Sequence, residues 1–105
     1  MDRKSTLLDM LASEPEDSFL HHALGMEHLR DQEFDAALLC FKTAMALEPG
    51  YAPSAYQAAL VLFQQNRMAE AFHCIQQGKQ HALAHGQTKM AQELEGLAQQ
   101  MDDET

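Results

Sequence analysis

The chain has 105 residues, with 16 acidic against 7 basic side chains and a formal net charge of −9 at pH 7. This negative balance disfavours binding to nucleic acid or to anionic membranes, because both require clustered cations. No apolar run approaches the roughly 18 residues that cross a bilayer, and the first residues lack the apolar stretch of a signal peptide. We therefore expect one cytoplasmic domain that binds neither nucleic acid nor membrane.

The residue types favour helices over sheets. The chain contains one Val, one Ile and no Trp, whereas Ala, Leu, Gln, Glu and Met are abundant. Sheets are built mainly from β-branched and aromatic residues, and the abundant types here lose little side-chain freedom in a helix. The predicted fold class is all-α. Cys40 and Cys74 are too few for a disulfide framework, so we expect both to be free thiols.

Six helices are predicted where apolar residues recur at helical spacing between Pro and Gly residues. They span residues 4–13, 17–30, 34–47, 53–65, 68–85 and 88–101. Pro15 and Pro49 end helices because proline cannot continue one. Gly50 and Gly86 suit the left-handed conformation that closes a helix. The connections are short, which predicts that neighbouring helices are antiparallel.

A repeat register of about 34 residues, the length of one helix-pair unit, relates two parts of the chain. Glu14-Pro15 recurs as Glu48-Pro49, and small and apolar residues recur at the same offset. The pairs include Gly25 with Ala59, Met26 with Leu60, Leu29 with Phe63, Ala37 with Ala71, Cys40 with Cys74 and Phe41 with Ile75. Side-chain size and polarity repeat more than residue identity does. This pattern indicates two copies of one helix-pair unit.

The repeat resembles the tetratricopeptide repeat family, whose unit is a helix-turn-helix of the same length. The first unit matches the family pattern at Leu24, Gly25, Ala37, Phe41 and Pro49, with His21 and His28 in place of its usual Trp and Tyr. The resemblance implies a right-handed α-solenoid with an N-terminal half repeat and a C-terminal capping helix. Its segments would be a half repeat at 4–15, repeat one at 18–51, repeat two at 52–85 and a cap at 88–101, within one domain of residues 1–101 followed by an acidic tail at 102–105.

The helices at the two ends are expected to cover the repeat units, because two units alone leave apolar surface open. Leu7, Leu8 and Leu11 would cover unit one. A stripe at helical spacing in the last helix would cover unit two. That stripe consists of Met90, Leu94, Leu97 and Met101.

The first helix of each unit carries a second apolar face, although a helix that packs on one side needs only one. We call this second surface the groove face. It comprises Phe19, His22, Met26, Leu29 and Arg30 in unit one and Tyr56, Gln57, Leu60, Phe63 and Gln64 in unit two. By resemblance to the family, it lines a concave groove that holds a peptide or an amphipathic helix of a partner protein. The alternative is that neighbouring helices, or the terminal helix, cover this face.

His81 and His85 lie four residues apart on a predicted helix and raise the question of a metal site. We predict no metal and no cofactor, because no nearby carboxylate or thiolate set completes a zinc site. His73 and Cys74 are adjacent, so they cannot face each other on a helix, and we predict no catalytic residues and no enzyme activity.

The predicted function is that of an adaptor or chaperone-like module that binds another protein. A self-associating structural repeat protein, forming a homodimer, is the alternative, and a metal protein or an enzyme is less favoured. The expected ligand is apolar or amphipathic, with basic flanks that suit the negative chain.

Overall fold

The computed structural model describes residues 2–105, which form six α-helices and no strand. The helices are α1 (Arg3–Ser13), α2 (Ser18–Arg30), α3 (Phe34–Leu47), α4 (Ala52–Gln64), α5 (Met68–Ala84) and α6 (Thr88–Asp103). Every bound lies within two residues of its predicted position, so the all-α class is confirmed. Helix α6 includes Asp102 and Asp103, which we had expected in the tail. None of the six helices is long and apolar enough to cross a bilayer.

Each helix packs against the next one along the chain, and the most extensive contacts join α2 to α3 and α4 to α5. These are the two helix pairs that the repeat register relates. The last helix also touches α4 in addition to α5. The array measures 42 by 30 by 18 Å, so it is elongated and thin.

The turns within the two helix pairs have the same backbone conformation. Gln32 and Asn66, at equivalent positions of the two units, both take a left-handed conformation, with φ of 59° and 61°. In each turn the next amide donates to the carbonyl five residues earlier at 2.9 Å, which closes the preceding helix. Gly50 and Gly86 are also left-handed, as predicted, with φ of 74° and 68°. The repeat register therefore extends from side-chain size to backbone geometry.

Small residues let the paired helices approach closely. A Cβ atom added to Gly25 in α2 would lie 2.6 Å from Cε1 of Phe41 in α3, and Phe41 is fully buried. A Cβ atom added to Gly78 in α5 would lie 2.7 Å from Cβ of Ala55 in α4. Both approaches are too short for a larger residue, so the glycines set the spacing within the pairs.

Buried apolar side chains form two separate clusters. The larger one has buried residues from α3, α4, α5 and α6 and includes Phe41, Leu62, Ile75, Leu94 and Met101. The smaller one joins α1 to α2 and consists of Leu7, Leu11, Leu20, Ala23 and Leu24. The smaller cluster is accompanied by ion pairs, since Nζ of Lys4 lies 2.5 Å from Asp31 and 2.6 Å from Glu33 in the turn after α2. Helix α1 is thus held to α2 and the following turn by the smaller cluster and these ion pairs.

Most of the apolar residues that were expected to cover the repeat units are buried. Leu94, Leu97 and Met101 of α6 are buried, and Met90 is half-buried. Leu7 and Leu11 of α1 are buried as expected, but Leu8 is 55% exposed. The expectation for Leu8 was wrong because Leu7 and Leu11, four residues apart, point to the core, and Leu8 is turned about 100° from Leu7 around the helix.

Gly25→Ala is expected to lower the free energy of unfolding by about 1–3 kcal/mol, because the added Cβ atom would overlap the ring of Phe41. Gly96→Ala is the matched control, since a Cβ atom at Gly96 in α6 would meet no atom within 4 Å. It should raise the free energy by about 0.5–1 kcal/mol through helix propensity. Urea unfolding followed by circular dichroism measures both. Equal effects would contradict the close packing of α2 on α3.

Leu94→Ala should lower the free energy of unfolding by about 2–5 kcal/mol, because Leu94 is fully buried between α6 and the rest of the core. Leu83→Ala, at a side chain that is 61% exposed on α5, should change it by less than about 0.5 kcal/mol. The same unfolding assay compares the two variants. A small effect of Leu94→Ala would show that α6 does not cover the core.

Candidate functional site

The groove-face residues differ widely in exposure. Phe19 at the start of α2 is 59% exposed, and Arg30 and Gln64 at the helix ends are also exposed. Five apolar members are half-buried and pack against the larger core cluster. These are Met26, Leu29, Tyr56, Leu60 and Phe63. Gln57 is half-buried as well. The apolar members thus combine a packed side with a side that faces solvent.

His22 of the groove face lies between the two helix pairs. Its ring centroid is 5.6 Å from that of Phe41 in α3 and 6.1 Å from that of Tyr51 at the start of α4. Its Nδ1 is 2.9 Å from Oγ of Ser54, whose side chain is fully buried in α4. His22 therefore connects α2 to α4 and gives a buried hydroxyl a hydrogen-bond partner. The spacing of residues along α2 does not predict this contact.

Burial lowers the pKa of His22 below its usual value, because a charged ring would lose hydration. The folded protein consequently favours the neutral ring. In this position the ring shares one hydrogen bond with Ser54 and packs on two aromatic side chains.

A second polar cluster lies where the two helix pairs meet. Oε2 of Glu48, the residue after α3, is 2.5 Å from Nε2 of His81 in α5. The other carboxylate oxygen of Glu48 accepts a hydrogen bond from the Ser18 hydroxyl at 3.1 Å. The hydrogen bond from His81 lowers the pKa of Glu48, which stays ionised at neutral pH. One carboxylate thus links the start of α2 to the last part of α5.

His81 also serves as a cap for α4. Its ring is buried, and Nδ1 accepts a hydrogen bond of 3.2 Å from the backbone N–H of Ala52, the first residue of α4. The first amides of a helix need acceptors, and Tyr51 before this helix supplies no side-chain oxygen for them. Because Nδ1 accepts, the neutral ring carries its proton on Nε2 and donates it to Glu48.

His85 stacks on His81, with ring centroids 4.2 Å apart and planes inclined by 31°. Nδ1 of His85 donates to the backbone oxygen of His81 at 2.9 Å, and in the neutral ring Nε2 is then the nitrogen without a proton. One ligand atom each from Glu48, His81 and His85 lies within 4.8 Å of the other two. We predicted no metal because the histidine pair lacked a carboxylate. The fold brings one from a distant part of the sequence, and the only signal was the repeated Glu-Pro dipeptide.

A cleft of about 450 Å³ lies between α3 and α5. Met45, Leu62 and Cys74 contribute apolar lining, and Lys42 and Glu70 contribute charged groups. Burial raises the pKa of the Cys74 thiol, and it also raises that of Cys40. Both cysteines are free thiols, as predicted. The periodicity of single helices does not predict this cleft, because its walls come from three helices, α3, α4 and α5.

No family model and no curated protein matches the chain. Its structure is similar to the solution structure of protein BPP2914 from Bordetella parapertussis, a structural genomics target. The TM-score is 0.77 at 24% sequence identity, and the match covers 99% of this chain and 90% of that chain. Likeness at this level of identity shows a shared all-helical fold alone.

Stability is expected to fall as the pH drops below about 6.5, in part because of His22. Below this pH, His22 binds a proton more readily in the unfolded chain than in the folded protein, since burial lowers the pKa of its ring in the folded state. His22→Asn should weaken this pH dependence, because its amide oxygen can accept from Ser54 without titrating. Melting temperatures at about pH 7.5 and 5.5 test the difference.

The exchange His73→Asn, at an exposed ring on α5, controls for the removal of a histidine as such. The original chain and His22→Asn should differ in how far the melting temperature falls between the two pH values. An equal fall in both would contradict the role assigned to His22.

Proposed function

We propose that the chain is a tetratricopeptide-like adaptor, a right-handed stack of two helix pairs with a half repeat before them and a capping helix after them. Three features support this arrangement. The left-handed turn residues Gln32 and Asn66 stand at equivalent positions of the two units. The most extensive helix contacts lie within the two related pairs. Ala37 and Ala71, which the same register pairs, are both fully buried.

The groove face is the proposed binding surface for a peptide or helix of a partner protein. The observation that carries this proposal is the exposure of Phe19, together with the partial exposure of the other apolar groove-face residues on α2 and α4. Burying one such side chain contributes roughly 1.5–3 kcal/mol. The loss of freedom on association offsets most of the sum, so the expected dissociation constant is on the order of micromolar.

The charges favour a partner segment with basic flanks. The chain carries a net charge of −9, and a negative surface attracts cationic segments. Arg30 is the only Arg or Lys of the groove face, and it lies at the exposed end of α2. A clamp for acidic chain termini would need several cations in this position. The proposed ligand is therefore an amphipathic helix with Lys or Arg beside its apolar face.

The test is the affinity of amphipathic peptides selected by display against the whole chain and measured by fluorescence anisotropy. Phe19→Ser should weaken the selected peptide by about 10- to 100-fold, because one exposed aromatic contact is lost. Leu39→Ser is the matched control, since Leu39 is 68% exposed on α3, outside the groove face. It should bind as the original chain does. Equal affinities of all three proteins would contradict the proposed surface.

Two further measurements separate binding from folding and from self-association. Circular dichroism must show unchanged helicity in Phe19→Ser, which we expect because the exposed ring contributes little to the core. Light scattering across a wide concentration range gives the mass of the unliganded chain. A mass that doubles with concentration, together with loss of doubling in Phe19→Ser, would favour the homodimer over the adaptor.

A further inference from the structure

We propose that Glu48, His81 and His85 form a binding site for Zn²⁺ at the junction of the two helix pairs. Their ligand atoms lie within 4.8 Å of one another, and they come from the residue after α3 and from the last part of α5. Two imidazole nitrogens and one carboxylate oxygen are donors that zinc binds in proteins, with water in the fourth position. None of the three ligands belongs to the groove face.

Hydrogen bonds already hold two of the three ligands in place. Nδ1 of His85 donates to the His81 carbonyl at 2.9 Å, which fixes the ring and leaves Nε2 for the metal. Hydrogen bonding of the second nitrogen to a carbonyl is the usual support of a metal-bound histidine. The Ser18 hydroxyl holds the other oxygen of Glu48 at 3.1 Å, so Oε2 remains directed toward the histidines.

The ion has an entry path and room for a water molecule. A cleft of about 450 Å³ adjoins the three ligands, and Gly50, Gln77 and Ala84 contribute to its wall. His85 and the outer part of Glu48 reach solvent, whereas His81 lies at the buried end. An ion can therefore meet His85 and Glu48 first and His81 last.

Zinc would replace the proton that His81 now donates to Glu48. These atoms are 2.5 Å apart and must separate to about 3.3 Å, the distance between two ligands that each lie roughly 2.0 Å from a tetrahedral zinc ion. A neutral ring bound through Nε2 carries its proton on Nδ1. The Nε2 proton leaves to solvent and one proton binds at Nδ1, so the hydrogen bond from Ala52 N–H is lost. Zinc binding is therefore coupled to the first turn of α4.

Titration of the full chain with zinc chloride, followed by calorimetry, tests the site. We expect one ion per chain with an affinity on the order of micromolar, weaker than a structural site with four ligands. The amide resonance of Ala52 should shift in a ¹H–¹⁵N spectrum, because its acceptor is lost. His85→Ala should weaken binding at least about tenfold and is expected to fold normally, since His85 is exposed.

His73→Ala is the matched control, because His73 is an exposed histidine of the same helix outside the cluster. Full affinity in His73→Ala beside the loss in His85→Ala supports the site. Equal losses in both variants would indicate adventitious binding to surface histidines and overturn it. Absence of binding heat, or binding that leaves the Ala52 resonance in place, would overturn it as well. None of these outcomes depends on peptide binding.

Discussion

The junction between the two helix pairs depends on the hydrogen bond between Glu48 and His81. Pro49 and Gly50 end α3, so α4 must begin at once with amides that lack partners inside the helix. His81 reaches one of these amides only because Glu48 holds its proton on the opposite nitrogen. Gly50 lies so close to α5 that no larger residue fits there, since a Cβ atom on Gly50 would overlap the carbonyl oxygen of Gln77.

The helices and their pairing could be predicted because the signals are local. Pro15, Pro49 and the turn glycines mark the ends of segments, and helical spacing marks the buried stripe of each segment. The partners of polar side chains could not be predicted in this way. His22 bonds to Ser54 and His81 bonds to Glu48, in both cases with one whole helix between the partners in the sequence. The spacing along one helix carries no information about such pairs.

The surroundings of the groove face could also be predicted only in part from single helices. Its residues were identified because they lie away from the stripe that packs each pair, and Phe19 is exposed as that reasoning requires. Tyr56, Leu60 and Phe63 nevertheless touch the larger cluster, because α4 has neighbours on more than one side. A ligand on this face would contact side chains that already support the core, so binding and stability are linked there.

Because α1 packs through a separate apolar cluster, its local stability differs from that of the other helices. An isolated helix of its 11 residues is marginal in water, and its apolar cluster is not continuous with the larger one. The ion pairs of Lys4 that accompany this cluster are partly exposed, so they weaken as salt is added. Helix α1 can therefore undock while α3 to α6 remain folded, and its amides then exchange hydrogen with solvent through a local opening instead of global unfolding.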